Sequence, residues 1–335
     1  MTISRRTMLA SLLATPALAQ EKRPVQVLAY GGNYEQTLRD VVIPEFEKRT
    51  GVPVILAVGD ETVTVPRIIA ARGRFTWDAV MLNNDAGILL QQAGLLMPDQ
   101  SAALQNIGQV YDSMKPPRTA VYGTQIYEYA LVFNKQKVQP GLTSWRELWE
   151  RKMVVGVPHI GQSYGMTFLY LAALLHGGDA DNLDPGFKAI RALPAFKVYK
   201  NVSQGLSMFQ QGEIDAAMYY GHRAQQMIDA GFPITKVQAK EGSWGQRTGI
   251  QIPKGTQNLE GARLWVDTTL SVPYQTLFAQ QLYSPTNRDV VLPPELAAKN
   301  VMGEARVASV QEAPWDKLLP QRDALLDRWT KEIGS

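Results

Sequence analysis

The stretch Val25-Gln26-Val27-Leu28-Ala29-Tyr30-Gly31-Gly32-Asn33-Tyr34 decides how the chain is read. An apolar, β-rich run through Tyr30 meets two glycines, and from Tyr34 to Thr50 the apolar residues Leu38, Val42 and Phe46 recur at helical spacing. Pro44 is predicted to kink or split that helix, and Gly51 to stop it. Downstream, Val54 to Val58 reads as a strand, Pro66 to Arg72 as a helix with proline at its start, and Trp77 to Leu82 as a buried strand. Such β-α-β-α-β alternation implies a parallel sheet covered by its own crossover helices. Ligands in open sheets of this kind sit beyond the carboxyl ends of the strands. The rule places Tyr30, Gly31, Gly32 and the loop Asn83-Asn84-Asp85 at one mouth.

Past Gly123-Thr124-Gln125 the pattern restarts. Tyr129 to Asn134, Met153 to Val157, Phe196 to Tyr199, Ile214 to Tyr220 and Gly245 to Pro253 read as strands, with helices at Thr167 to Leu175, Leu206 to Gln211 and Leu259 to Leu270. A second lobe is expected to begin near residue 125. No solenoid period and no low-complexity tract interrupts the chain.

Upstream of Val25, Ser4-Arg5-Arg6-Thr7-Met8-Leu9, the apolar Leu12-Leu13-Ala14 and the small-residue pattern Ala17-Leu18-Ala19 form a cleavable export signal, with cleavage expected after Ala19 and the periplasm as destination. The paired arginines fit the twin-arginine route, and the general secretory route remains open. Without Arg5 and Arg6, 32 basic residues stand against 31 acidic ones, a balance that argues against a nucleic-acid partner. There is no cysteine, which excludes thiol catalysis and thiolate metal sites. At 335 residues and 45% hydrophobic, the chain can build sizeable cores without disulfides.

The histidines, His159, His176 and His222, have no metal-site spacing, and His159 or His222 could each line a cleft from a strand end. The Tyr30 to Tyr34 loop offers close backbone approach and two aromatic faces, or is simply a tight strand-to-helix turn. It is not GxGxxG, and no acidic ribose partner follows it. Tyr127, Tyr129, Tyr219, Tyr220, Trp244 and Tyr283 sit at strand ends or in glycine-containing loops, where aromatics suit a binding site. No serine stands in a GxSxG elbow, and no nucleophile-base set is legible, so no catalytic residue, cofactor or metal is expected.

The order of Tyr30-Gly31-Gly32, Phe46-Glu47-Lys48-Arg49-Thr50-Gly51-Val52-Pro53-Val54, Trp77-Asp78-Ala79-Val80, Gln92-Ala93-Gly94-Leu95-Leu96 and Leu142-Thr143-Ser144-Trp145-Arg146-Glu147-Leu148-Trp149 resembles the periplasmic substrate-binding proteins of ABC importers. It looks most like the spermidine/putrescine-binding type, related to the iron- and thiamine-binding proteins. Further likeness lies in Gln211-Gly212-Glu213-Ile214-Asp215-Ala216-Ala217-Met218, Lys240-Glu241-Gly242 and Pro285-Thr286-Asn287. The resemblance implies a type II two-lobed α/β fold, each lobe a mixed, mostly parallel sheet flanked by helices, with a hinge between lobes and no catalysis. It implies a discontinuous first lobe of residues 24–125 plus about 248–287 and a second of about 126–247 plus 288–335. It also implies a monomer that delivers a small-molecule ligand to inner-membrane permease subunits.

The same likeness places the ligand among Tyr30, Gly31, Gly32, Tyr34, Asn83, Asn84, Tyr127, Ser163, Tyr164, Tyr220, His222, Arg223, Trp244, Arg247, Thr248 and Tyr283. The polyamine readers hold ammonium groups with carboxylates, yet Thr248 stands where an aspartate is expected and Gly161 to Gly165 has no acidic residue. Gly31 replaces an aromatic. A buried ammonium without a carboxylate is costly, so a dication would need Glu61, Asp85 or Glu128 to turn inward. Arg247, with Arg223 or His222, suits a carboxylate or phosphonate, and the helix start at Ser163 adds backbone donors. The expectation is therefore an anionic or zwitterionic ligand. Polyamine binding, an exported two-lobed enzyme and a sensor partner are the alternatives.

Overall fold

The computed structural model describes residues 22–59, 61–72, 74 and 76–334, with only the backbone described at 61–63, so the Glu61 side chain lies outside the description. The export signal expected at residues 1–19 lies outside the described residues. The strands are β1 (Val25–Ala29), β2 (Val54–Val58), β3 (Ala79–Asn83), β4 (Tyr122–Asn134), β5 (Val155–Pro158), β6 (Phe196–Tyr199), β7 (Ala216–Tyr220), β8 (Ile234–Val237), β9 (Trp244–Gln251) and β10 (Ser284–Pro285). They join in the order β2-β1-β3-β9-β4-β7-β5-β6, with β8 and β10 also paired to β4.

In β1, alternate residues go to opposite faces, as a strand requires. Val25, Val27 and Ala29 enter a core with Phe46, Ile250 and Trp265, while Leu28 turns to one with Ile68, Val80 and Leu90. Helices cover both faces, so the run is apolar except for Gln26. The neighbouring helix runs Asn33–Thr37, then a π-helical turn Leu38–Val42, then Ile43–Thr50. The π turn lies directly ahead of Pro44 and absorbs the proline without breaking the helical course. Gly51 closes it in the left-handed conformation (φ 66°), its N–H donating to Glu47 O at 2.8 Å.

Two parallel sets, β2-β1-β3 and β6-β5-β7, flank a centre that is antiparallel. β4 pairs antiparallel with β7, β8, β9 and β10, and β9 pairs antiparallel with β3. The expectation of a mostly parallel sheet thus holds for each outer set and not for the centre, because β4 and β9 run through both halves. β4 pairs with β9 from Tyr122↔Ile250 to Tyr129↔Trp244, and its far end pairs with β7 from Tyr129↔Tyr220 to Phe133↔Ala216. Gly123 to Gln125, read as a break before a second lobe, is a register irregularity inside this strand.

A separate large core belongs to the second half, built on Leu131, Trp145, Phe168, Phe187, Tyr199 and Trp329. Val301, Val307 and Val310, expected in the second lobe, pack in the first half's core instead. Pro66, expected at a helix start, lies inside the helix Glu61–Ala71. Val65 and Ile68 on either side of it are buried in the core and anchor the helix across the missing N–H.

Candidate functional site

Between the halves lies a cleft of about 1260 Å³. It opens where the strand-end rule places it. Tyr30 and Gly31 follow β1, Val58 and Gly59 end β2, Asn83 and Asp85 stand at the end of β3, Ile160 to Ser163 follow β5, and Tyr220, His222 and Arg223 stand at the end of β7. Several helices begin at this mouth, among them Asn84–Gln92, Ser163–Leu175, Val202–Gln210, Gly221–Asp229 and Arg322–Glu332. A helix start carries N–H groups without intrahelical partners and the positive end of the dipole, and at Asn84–Gln92 the Asp85 carboxylate takes up the backbone N–H of Asp85 and Ala86.

The structure brings together Tyr30, Gly31, Asn83, Tyr127, Ser163, Tyr220, His222, Arg223 and Tyr283 at the cleft wall. Tyr127 stacks on His222 at 4.9 Å and 30°, and both rings meet Tyr283, at 6.0 and 5.6 Å. His222 Nδ1 is buried without a hydrogen-bond partner. Burial, reinforced by Arg223 and Lys236, holds this imidazole well below its ordinary pKa, so it is neutral at physiological pH. Asn83 Oδ1 accepts from the Tyr30 hydroxyl at 3.3 Å and from Thr248 Oγ1 at 2.5 Å.

The remaining expected residues do not line the cleft. Gly32 turns the chain into the following helix at φ 72°, a conformation that suits glycine. Tyr34 is buried behind the wall, stacked on Phe278 at 4.2 Å. Asn84 faces inward, accepting from Ala120 N–H at 2.8 Å and donating to Glu312 at 2.9 Å. Tyr164 packs beneath the cleft against Tyr220 and Tyr199, and Trp244 is buried in the second core edge-on to Tyr170. Thr248 is fully buried.

Arg247 is the largest correction. Its Nη1 donates to Glu312 Oε2 at 2.5 Å and its backbone N–H to Glu312 Oε1 at 2.8 Å, so its charge is consumed within the crossing strands. Burial raises the Glu312 pKa, and the Arg247 charge offsets this only in part. His159 likewise turns away, its Nδ1 accepting from Gly161 N–H at 3.0 Å.

Sequence reasoning missed Arg322, which lines the cleft from the start of the helix Arg322–Glu332. No strand-end signal marks it. Asp85, placed at the mouth by the strand-end rule and weighed as an inward carboxylate, lines the cleft and accepts from Ser163 Oγ and Gln246 Nε2, both at 2.7 Å. Its pKa is raised, because burial outweighs these donors. Of the other two inward candidates, Glu128 is tied to Arg306 at 2.5 Å and Ser243 at 2.7 Å and does not line the cleft, and the Glu61 side chain lies outside those described.

Arg223 donates to Gln226 Oε1 at 3.1 Å and Arg322 to Gly161 O at 3.4 Å, and among the described residues neither meets a carboxylate. Asp85 is the one acidic group on the cleft wall among those residues. No cluster of three or more potential metal ligands occurs among the described residues, and no helix among them is long and apolar enough to cross a membrane.

A profile of the family described as bacterial extracellular solute-binding protein matches residues 42–303. The spermidine/putrescine-binding periplasmic protein of Escherichia coli (strain K12) is 21% identical over 316 residues, covering 91% of this chain and 87% of its own length. An ABC transporter structure from Clostridium perfringens ATCC 13124 aligns with a TM-score of 0.79 at 22% identity, over 92% of this chain and 99% of its own. The binding protein AgtB from A. tumefaciens R10, solved in complex with agropinic acid, aligns with a TM-score of 0.71 at 21% identity, over 94% of this chain and 99% of its own. These structures share the two-lobed α/β fold of type II binding proteins.

Proposed function

The chain belongs to the bacterial extracellular solute-binding protein family, and on that premise we propose that it captures a small organic anion or zwitterion in the interlobe cleft and delivers it, unaltered, to an ABC importer. The observation that carries the ligand polarity is the pair Arg223 and Arg322 at the cleft wall with no acidic partner among the described residues. An arginine left without a carboxylate in a partly enclosed site is a ready receptor for one, through paired charge-assisted hydrogen bonds. Helix starts at the mouth, such as those at Ser163 and Gly221, add fixed positive potential. Asp85, already held by Ser163 and Gln246 and raised in pKa by burial, is a poor partner for an ammonium group.

Export to the periplasm, a twin-arginine-like signal ending at Ala19, and service as a monomer beside inner-membrane permease subunits complete the reading. The periplasmic relative supports the location. β4 and β9, the two strands common to both halves, are the natural hinge. The likeness to a spermidine/putrescine-binding protein favours a polyamine as the second reading.

A thermal-shift panel separates the two. Protein freed of co-purified ligand by unfolding and refolding is melted with succinate, 4-aminobutyrate, methylphosphonate, putrescine or spermidine. A carboxylate or phosphonate at about 100 times its dissociation constant should add roughly 2.7 kcal/mol to stability. Arg223→Ala should weaken that ligand about ten- to a hundredfold, the worth of one charge-assisted hydrogen bond. A melt that responds to the amines alone overturns the anionic reading.

A further inference from the structure

The cleft wall is chemically mixed. Beside polar and charged residues such as Asn83, Asp85, Ser163, Arg223, Gln226 and Arg322, it has a substantial apolar lining. From the first half, Val58 at the end of β2 and Val65 and Ile69 one helical turn apart line it; from the second, Leu206, Met227 and Phe232 do. The spacing of Val65 and Ile69 puts both on one side of their helix. Val58 is 43% exposed and Ile69 39%, unusual for large aliphatic residues, whereas Val65 is buried. Leu206 and Phe232 have their undersides packed on the second core and still line the cleft. None of these six side chains can hydrogen-bond a solute, so a compact, wholly polar ligand lying on them would lose water contacts without replacement. The volume, about 1260 Å³, also exceeds the roughly 300–1,000 Å³ of common small-molecule sites.

Building on the anionic reading above, we propose that the ligand is an amphipathic organic acid, its carboxylate or phosphonate held by Arg223 and Arg322 and its alkyl or aromatic body covering Val58 and Ile69. Charge complementarity fixes one end of the solute, and the apolar wall sets its specificity by shape and length. Gly31, which lines the cleft beside Val58, contributes to that wall by what it lacks. A Cβ there would stand 3.0 Å from Val58 Cγ1, and an aromatic side chain would fill the space the ligand body occupies.

The test is isothermal titration of the refolded, ligand-free protein with acetate, butyrate, hexanoate and 3-phenylpropionate, and with succinate as a compact acid. Affinity should rise about fourfold per added methylene, the ordinary gain for burying that group. Ile69→Gln and Val58→Thr, both at half-exposed positions, should flatten this dependence while the melting temperature of the free protein stays the same. Arg223→Ala should instead weaken every acid by a similar factor. Affinity that is independent of chain length, or succinate binding more tightly than hexanoate, overturns the proposal while leaving the anionic reading intact, since it would mean that the apolar walls close on each other. Binding of putrescine with no binding of any acid overturns both.

Discussion

Arg247 and Arg223 are both expected at the ligand site from the sequence, and the fold treats them in opposite ways. Arg247 points its guanidinium into the crossing strands, where Glu312 takes both its side chain and its backbone N–H and also accepts from Asn84. Arg223 stands at the cleft wall, donates to the Gln226 amide and meets no carboxylate among the described residues. One positive charge holds the molecule together, and the other is left for something that arrives. The difference lies in whether a carboxylate distant in sequence folds back to meet the strand end. A buried pair such as Arg247–Glu312, with 15% and 9% of its side chains exposed, contributes little net stability, yet losing one member strands the other. Arg247→Ala should therefore cost about 3 kcal/mol in a urea melt. Arg223→Ala should stay within about 0.5 kcal/mol of the parent when no ligand is present. Adding Glu312→Leu to Arg247→Met should recover part of the first loss, and equal costs for Arg247→Ala and Arg223→Ala would erase the contrast.

A smaller effect is expected where the cleft is bridged. Asp85 stands on the helix after β3 in the first half, and Ser163 on the helix after β5 in the second, and their hydrogen bond joins the two across the mouth. Ser163→Ala removes that donor and should cost about 1 kcal/mol. The scattering radius of the free protein should rise slightly as the halves part. If neither changes, the bond carries no weight in holding the cleft.

What was legible follows from the range of the forces that decide it. The β-rich run that begins at Val25, the helical spacing of Leu38, Val42 and Phe46, and the stop at Gly51 are set within a few residues, and the structure has them where the pattern puts them. Strand-end placement then carried Tyr30, Asn83, Tyr220, His222 and Arg223 to the cleft. The misses are long-range. Trp244 looked like a site aromatic because it begins a strand, but it packs against Tyr170 in the second core. Glu312, which determines what Arg247 does, is 65 residues away, and Arg322 enters the cleft from the last helix. The antiparallel centre escaped because β4 spans 13 residues through a glycine-containing stretch that, read locally, breaks it.

The smallest effect separates the two regions by pH. His222 has its pKa lowered by burial and by Arg223 and Lys236, so the unfolded chain, whose imidazole titrates near the ordinary 6.5, takes up a proton before the folded one does. More protons bound by the unfolded state means stability that rises with pH, so the contribution of neutral His222 is complete above about pH 6.5 and is lost as pH falls below it. The Glu312 carboxyl, held by Arg247 of β9, behaves in the reverse sense. Its raised pKa means the folded state holds the proton longer, and its cost to stability develops as pH rises from the ordinary carboxyl range through the folded value. Between pH 7 and 6 only the imidazole adds an acid-side loss of these two, below about 1 kcal/mol. Thermal melts at the two pH values should show that loss, and His222→Gln should reduce it. His159, lowered in pKa by its own burial and by Lys200, leaves a residual slope. An unchanged slope in His222→Gln would mean the ring is solvated at the cleft wall and carries its proton as freely in the folded chain as outside it.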